Sequence, residues 1–226
     1  MTETMGRRER KKREIRERIA NAAARLFAEQ GYDAVSMVAV AVAAGVAEQT
    51  VYNHFPTKPD LVLDLADEML ESARRAVADR GPLATPADAL RLVVHGDIDH
   101  FVTEDPLLAR GEYPAQSVES EVLRRYALHF RDEQAEALAE VIRDTDPELN
   151  PLVVRAHASA LVTVLQAITD RVGAAILSGS DLDSVTEALH RDADVALADA
   201  AANFRAAKAR AAEARAAEAR AAEVAP

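Results

Sequence analysis

The chain has 226 residues, 49% of them hydrophobic and only 4% aromatic, with no Cys and a net charge of −11. This composition supports a sizeable core of closely packed, Ala-rich helices and excludes a disulfide framework or a thiolate metal site. The charge excludes nucleic-acid binding through the whole surface, yet it is unevenly spread: residues 1–60 hold 10 Lys/Arg against 8 Asp/Glu, and the remainder 17 against 30.

The chain opens on a basic segment: Arg7, Arg8, Arg10, Lys11, Lys12, Arg13, Arg16 and Arg18. It reads either as a solvated tail or as a face that reaches phosphates. It lacks the apolar region of a secretory leader, and no apolar run approaches the roughly 18 residues of a membrane span. The expected location is a reducing cytoplasm, with no membrane partner.

The first helix is expected over Arg10 to Gln30. Ile15, Ile19, Ala22, Ala23, Leu26 and Phe27 share one face, and Gly31 stops it in the position of a left-handed cap. Ser36 is the N-cap of a second helix. The run Val38-Ala39-Val40-Ala41-Val42 suits a buried strand as well, but its neighbours are helical and no partner strand is visible. Gly45 makes a turn, and a third helix runs from Glu48 to His54, ended by Pro56. Two short helices pivoting on a Gly are the shape of a helix-turn-helix, whose second helix enters the DNA major groove.

Thr57 and Asp60 open a fourth helix as N-cap and capping-box acid, continuing to Arg80. Thr85-Pro86-Ala87-Asp88 starts the next one with the same logic. Asp105-Pro106 opens a short helix closed by Gly111, a long helix follows over Gln116 to Arg143, and Asn150-Pro151 caps another reaching Ser178. The last helix starts near Asp181 and runs past Phe204. Ala206 to Val224 repeats Ala-Ala-Glu-Ala-Arg without an apolar stripe, as an exposed helical extension or frayed tail.

Residues 14–65 resemble the tetracycline-repressor (TetR) family of bacterial transcriptional regulators. The resemblance rests on Ala24-Arg25-Leu26-Phe27-Ala28-Glu29-Gln30-Gly31-Tyr32, Val40-Ala41, Ala44-Gly45-Val46, Thr50-Val51-Tyr52-Asn53-His54-Phe55, and Lys58 with Leu61. It implies an all-α homodimer, with an N-terminal three-helix helix-turn-helix domain and a larger C-terminal helical domain for ligand binding and dimerisation. The expected divisions are a flexible basic arm at 1–13, the DNA-binding domain at 14–60, the ligand-binding and dimerisation domain at 61–205, and a tail at 206–226. Three positions depart from the family pattern. Ala47 stands where a hydroxyl often caps the recognition helix, Glu48 brings an acid towards phosphates, and Ala39 replaces a common capping-box acid.

The expected DNA-binding residues are Ser36, Gln49, Thr50, Tyr52, Asn53, His54 and Lys58. By resemblance, Tyr52, His54 and Lys58 meet the phosphate backbone; all three side chains donate to phosphate oxygens. Tyr52 and Phe55 alternatively pack on the first helix. Gln49 and Asn53 suit the paired edge of adenine, and Thr50 a thymine methyl; the alternative is a solvated helix face. Ser36 either caps its helix, bonds a phosphate, or does both.

For an effector pocket the candidates are Phe101, Tyr113, Tyr126, His129, Phe130, Thr163 and Gln166, which mix apolar and polar wall; each serves equally as core. For a dimer interface they are Leu161, Leu165, Ile168, Val172, Leu189, Ala193 and Leu197, apolar faces of the last two helices. The run His95-Gly96-Asp97-Ile98-Asp99-His100 invites a metal reading. His95 with Asp99 and His100 with Glu104 lie on different faces, however, so three ligands need a second helix, and neither metal nor cofactor is expected.

The function expected is a ligand-responsive regulator, a repressor released from a palindromic double-stranded operator by a small-molecule effector. The alternative is a regulator without such an effector. A helical enzyme is remote, because the chain lacks a Cys nucleophile, a His-Glu-x-x-His pair, a phosphate-binding Gly loop and a nucleophile elbow.

Overall fold

A computed structural model describes residues 6–63, 66–103 and 105–224, except for the side chains of 66–68, 101–103, 106, 223 and 224. Among these residues the regular structure is helical. The helices are α1 (Arg7–Gln30), α2 (Met37–Ala44), α3 (Glu48–His54), α4 (Ala66–Ala78), α5 (Pro86–Thr103), α6 (Pro106–Gly111), α7 (Tyr113–Glu119), α8 (Glu121–Thr145), α9 (Pro151–Ser178) and α10 (Leu182–Val224). The chain divides into two compact units, one from residues 1–67, 101–126 and 170–182, the other from 68–100, 127–169 and 183–226.

In the first unit α1 begins at Arg7, where the Glu9 carboxylate accepts from the Gly6 N–H at 3.3 Å. It therefore takes in much of the basic segment. Gly31 ends it with its N–H on the Phe27 carbonyl at 2.9 Å. Its φ of 78° and ψ of 150° are positive-φ but not the expected left-handed cap, because the chain leaves into a 3-10 turn at Tyr32–Ala34. Ser36 accepts from the Ala39 N–H at 3.1 Å and caps α2. The Val-rich run is helix, as expected.

The core of this unit joins Ile19, Ala23 and Phe27 of α1 to Val40, Ala41 and Ala44 of α2, Val51 of α3, then Phe55 and Leu61, with Leu123 of α8. Phe27 and Phe55 are each 1% exposed or less, and burying such a ring stabilises by about 1.5–3 kcal/mol. Two glycines fit where a side chain cannot. A Cβ at Gly111 would lie 1.8 Å from the Ala24 carbonyl oxygen, and one at Gly173 1.9 Å from that of Pro114.

The other unit is built from longer helices. Ala73 and Val77 of α4, Leu90, Val94 and Ile98 of α5, Leu138 and Ile142 of α8, Val154, Ala158 and Leu161 of α9, and Leu189, Leu197 and Phe204 of α10 are buried. Thr85 and Asp88 complete their capping box at the head of α5: Asp88 Oδ2 accepts from the Thr85 N–H at 2.9 Å and Thr85 Oγ1 from the Asp88 N–H at 3.2 Å. Asn150 caps α9 through the Leu152 N–H at 2.9 Å.

Three further expectations need correction. The helix expected from Thr57 onwards is instead a 3-10 turn at Pro59–Leu61 followed by α4 from Ala66; the Asp60 carboxylate does accept from the Thr57 N–H, at 2.7 Å, but caps only that short turn. The single helix expected over 116–143 is two, α7 and α8, broken at Ser120. Finally, α9 is long and apolar enough to cross a membrane by length and composition, with a window of mean hydropathy 1.5. Its many Ala, Val, Leu and Ile residues lift that average over Gln166, Asp170 and Arg171. Length and composition alone do not separate a spanning helix from a core helix.

Candidate nucleic-acid interface

The turn between α2 and α3 is made by Gly45, whose φ of 63° and ψ of 40° are left-handed, a conformation that costs Gly nothing and other residues roughly 1–2 kcal/mol. The Gly45 N–H bonds Val42 and Val46 bonds Ala41, so the end of α2 is closed by backbone alone. The next helix, α3, then has two faces. Val51 and the following Phe55 are fully buried, while Gln49, Tyr52 and Asn53 are exposed and Thr50 is half-buried. The Gln49 Nε2 donates to Asn53 Oδ1 at 3.1 Å, so the two amides expected to read bases hold each other one turn apart.

Ala47 provides no side-chain cap for α3. Glu48 occupies the first turn instead, where a negative charge favours the positive end of the helix dipole and offsets part of the missing cap. Ser36 is spent on the Ala39 N–H, and with Ala at that position the capping box is half made.

At the other end of α3, Arg16 reaches over from α1. Its Nη1 donates to the His54 carbonyl at 2.7 Å and its guanidinium lies 4.3 Å from the Phe55 ring centroid. This closes an orphan carbonyl of α3 with a cation, which also suits the dipole. His54 is half-buried. Burial first, then the charges of Arg16 and Lys12, hold its imidazole below the usual histidine range. His54 Nδ1 is a buried nitrogen without a hydrogen-bond partner. Beside it Gly6, Arg8, Glu9, Lys11, Lys12 and Ile15 line an open recess of about 670 Å³, which gives the start of α1 a basic concave surface continuous with His54.

Lys58 stands over the Tyr32 ring, 4.2 Å from its centroid, and donates to the Asp33 carbonyl at 3.3 Å. Burial lowers its pKa, against the opposing pull of Asp33. Burial, with Asp33 next, pushes the Tyr32 phenol up to about 12.

Two residues absent from the expected site hold this corner. Gln116 of α7 is 2% exposed. Its Oε1 accepts from the Tyr32 N–H at 2.8 Å, and its Nε2 donates to Arg110 O at 2.8 Å and Phe27 O at 3.3 Å. Both amide hydrogens and the oxygen are therefore engaged. Ser120, 3% exposed, donates to Asp33 Oδ1 at 2.9 Å and accepts from the Leu123 N–H at 3.3 Å. Their partners Phe27, Tyr32 and Asp33 lie 84 to 89 residues away in sequence, beyond any local signal.

The effector candidates divide between the units. Tyr113 packs against the first unit's core and Tyr126 is exposed, while the side chain of Phe101 lies outside the described residues. In the second unit His129 is 78% exposed and pairs with Glu133 at 3.4 Å. Thr163 is exposed, its hydroxyl turned back to Ser159 O at 2.8 Å, and Phe130 and Gln166 are half-buried. Of the dimer candidates, Leu161, Val172, Leu189, Ala193 and Leu197 are at most 4% exposed within the single chain. Their side chains leave almost no surface for a second copy. Leu165 and Ile168 are half-buried and retain some.

α10 supplies the second helix that the His95-to-His100 run lacked. His95 Nε2 lies 3.2 Å from Asp194 Oδ1, His190 Nε2 3.1 Å from Asp99 Oδ1, and the two imidazoles stack with centroids 4.4 Å apart. The groups meet in His–Asp pairs, and among the described residues no set of three or more is placed to hold a metal. Glu104 lies outside the described residues.

Comparison with known proteins follows the same outline. Residues 19–65 match the family described as bacterial regulatory proteins, tetR family. The HTH-type transcriptional regulator LmrA of Bacillus subtilis is 30% identical over 135 residues, covering 58% of this chain and 72% of LmrA. The HTH-type transcriptional repressor KstR of Mycolicibacterium smegmatis is 38% identical over 98 residues, covering 42% of this chain and 47% of KstR. The match to KstR thus spans about half of that relative's length. Among solved structures, SmeT in complex with triclosan, the repressor of the Stenotrophomonas maltophilia multidrug efflux pump SmeDEF, superposes with a TM-score of 0.54 at 20% identity, covering 84% of this chain and 90% of SmeT. That last likeness shows a shared fold.

Proposed function

This chain belongs to the tetR family of bacterial regulatory proteins, and from that premise we propose that it is a DNA-binding transcriptional repressor released by a small molecule. The carrying observation is the exposed face of α3, with Gln49, Tyr52 and Asn53 presented while Val51 and Phe55 anchor the helix. Lys58, His54 and the basic start of α1 flank that face. They offer phosphate donors beside a helix of the size that enters a major groove.

The working form is a cytoplasmic homodimer on a palindromic operator, since two recognition helices need centres about 34–36 Å apart. Leu165 and Ile168 of α9 offer the dimer surface. The effector site is proposed within the second unit, with Phe130 and Gln166, the half-buried candidates there, on its wall. The structural neighbour SmeT, solved in complex with triclosan, supports a small-molecule effector. Effector and DNA are then reciprocally coupled. Driving the population from 1:99 to 99:1 takes about 5.5 kcal/mol of differential affinity. Catalysis is not part of this reading.

Selection from random duplex DNA, followed by footprinting at a stated salt concentration, tests it. A two-fold symmetric site is expected. Weak binding without sequence preference would overturn it. Within that assay, Tyr52→Ala with Lys58→Ala weakens binding to all sequences and flattens the salt dependence, whereas Asn53→Ala relaxes preference at particular base pairs.

A further inference from the structure

Lys58 and the end of α7 meet at a single residue. Asp33 accepts Lys58 Nζ on its main-chain carbonyl at 3.3 Å and Ser120 Oγ on its carboxylate at 2.9 Å. The same turn is fixed a second time by Gln116, whose Oε1 accepts from the Tyr32 N–H at 2.8 Å, while the Tyr32 ring lies under the Lys58 ammonium at 4.2 Å. One carboxylate and one ammonium thus belong to adjoining groups, yet the carboxylate is engaged by a hydroxyl that is 3% exposed. An ammonium has three donors. With one on a neutral carbonyl, the others and the full charge remain for a phosphate.

We propose that Ser120 is a positioning residue for DNA binding: by holding the Asp33 carboxylate, it keeps Lys58 available to the phosphate backbone. The inference rests on the reading of α2 and α3 as a DNA-binding element and deepens it. If Ser120 withdraws, the Asp33 carboxylate is released beside Lys58 and pairs with it. The pair neutralises one phosphate contact without any change at α3. Because Ser120 is the residue between α7 and α8, a displacement of that junction is read at the DNA as the loss of one positive charge.

The test uses the full chain and a labelled mixed-sequence DNA duplex, since a phosphate contact needs no particular sequence. Affinity is followed from about 50 to about 200 mM salt, where each phosphate contact contributes about 0.9 to the logarithmic slope. Lys58→Ala should lower the slope by about that amount for each subunit bound. Ser120→Ala should lower it equally, and the double variant Ser120→Ala/Asp33→Asn should return it to the wild-type value. A merely structural role for Ser120, such as its cap on the Leu123 N–H, would shift the melting temperature but would not be rescued by removing the Asp33 charge. If Ser120→Ala fails to fold, Ser120→Cys keeps the volume, donates more weakly and is read the same way.

A wild-type slope in the Ser120 variant, or a lowered slope that Asp33→Asn leaves unrestored, overturns the proposal. So does an unchanged slope in Lys58→Ala, which leaves DNA binding itself standing. Absence of salt-dependent binding by the wild-type chain overturns both.

Discussion

The corner around Tyr32 and the seam between α5 and α10 are both held by polar side chains, but of opposite kinds. At the corner the bonds of Gln116 are neutral, backbone-directed and buried, with Gln116 itself 2% exposed. At the seam the contacts are between side chains half open to water, with His95, His190 and Asp194 between 27% and 42% exposed, and an ion pair of Arg91 with Asp194 at 3.5 Å. A satisfied, buried amide fixes geometry whatever the pH and salt, because nothing in it titrates and no ions reach it. Exposed ion pairs contribute little and respond to both. The difference teaches that a fold can reserve its rigid polar bonds for the corner that aligns Lys58 and leave adjustable ones on a long helical face.

The sharpest break comes from backbone contact. Gly111→Ala would force a Cβ to 1.8 Å from the Ala24 carbonyl oxygen, so α6 must leave α1. A loss of about 3 kcal/mol or more is expected, read as a fall in melting temperature and in DNA affinity together. In the second unit Asp146→Ala should rival it. Asp146 is 2% exposed, pairs with Arg80, itself 6% exposed, and accepts from Lys208 Nζ at 2.6 Å. Its removal strands a buried guanidinium, at a cost of about 3–5 kcal/mol in urea unfolding. Smaller is Gln116→Leu, which leaves the Tyr32 N–H and Arg110 carbonyl unpaired at about 1–3 kcal/mol each. Equal melting temperatures for Gln116→Leu and wild type would show that the corner is not held as described.

Acid titration sharpens the contrast further. Burial, opposed by His100, pushes the Asp97 carboxyl up from 3.8 to about 6. Over that window the folded chain binds more protons than the unfolded one, so stability declines as pH rises through it and is level above. Asp97→Asn should flatten this decline in melting temperature against pH. The mildest change is Gly96→Ala. A Cβ there meets nothing, and a helical Gly replaced by Ala gains about 1 kcal/mol.

Much of the helical framework was legible because its punctuation is local. Ser36, Thr85 with Asp88, Asp105 and Asn150 all bond a backbone N–H within three residues. The outward set of Gln49, Tyr52 and Asn53 was legible for the same reason, since Val51 and Phe55 one turn apart point inwards. The break at Ser120 was not, since no Gly or Pro marks it and helix-forming residues follow. Ser120 does cap α8 locally, accepting from the Leu123 N–H, but its hydroxyl is also held by Asp33, 87 residues earlier. Arg16 at the end of α3 was hidden likewise, as one cation among many whose partner lies 38 residues on. Distant pairings of this kind carry no periodicity, and they decide how the candidate site is aimed.

The last turns of α10 follow from where that helix is already secured. Phe204 and Ala207 are buried, and beyond them 212–222 are exposed throughout. An isolated Ala-rich segment of that length would be marginal, because its first turn must be nucleated at an unfavourable equilibrium of about 10⁻³. Here nucleation has already occurred upstream, and the repeat only propagates a helix that exists. Its order should therefore melt gradually from its exposed turns with temperature, as a sloping baseline in circular dichroism ahead of the cooperative transition.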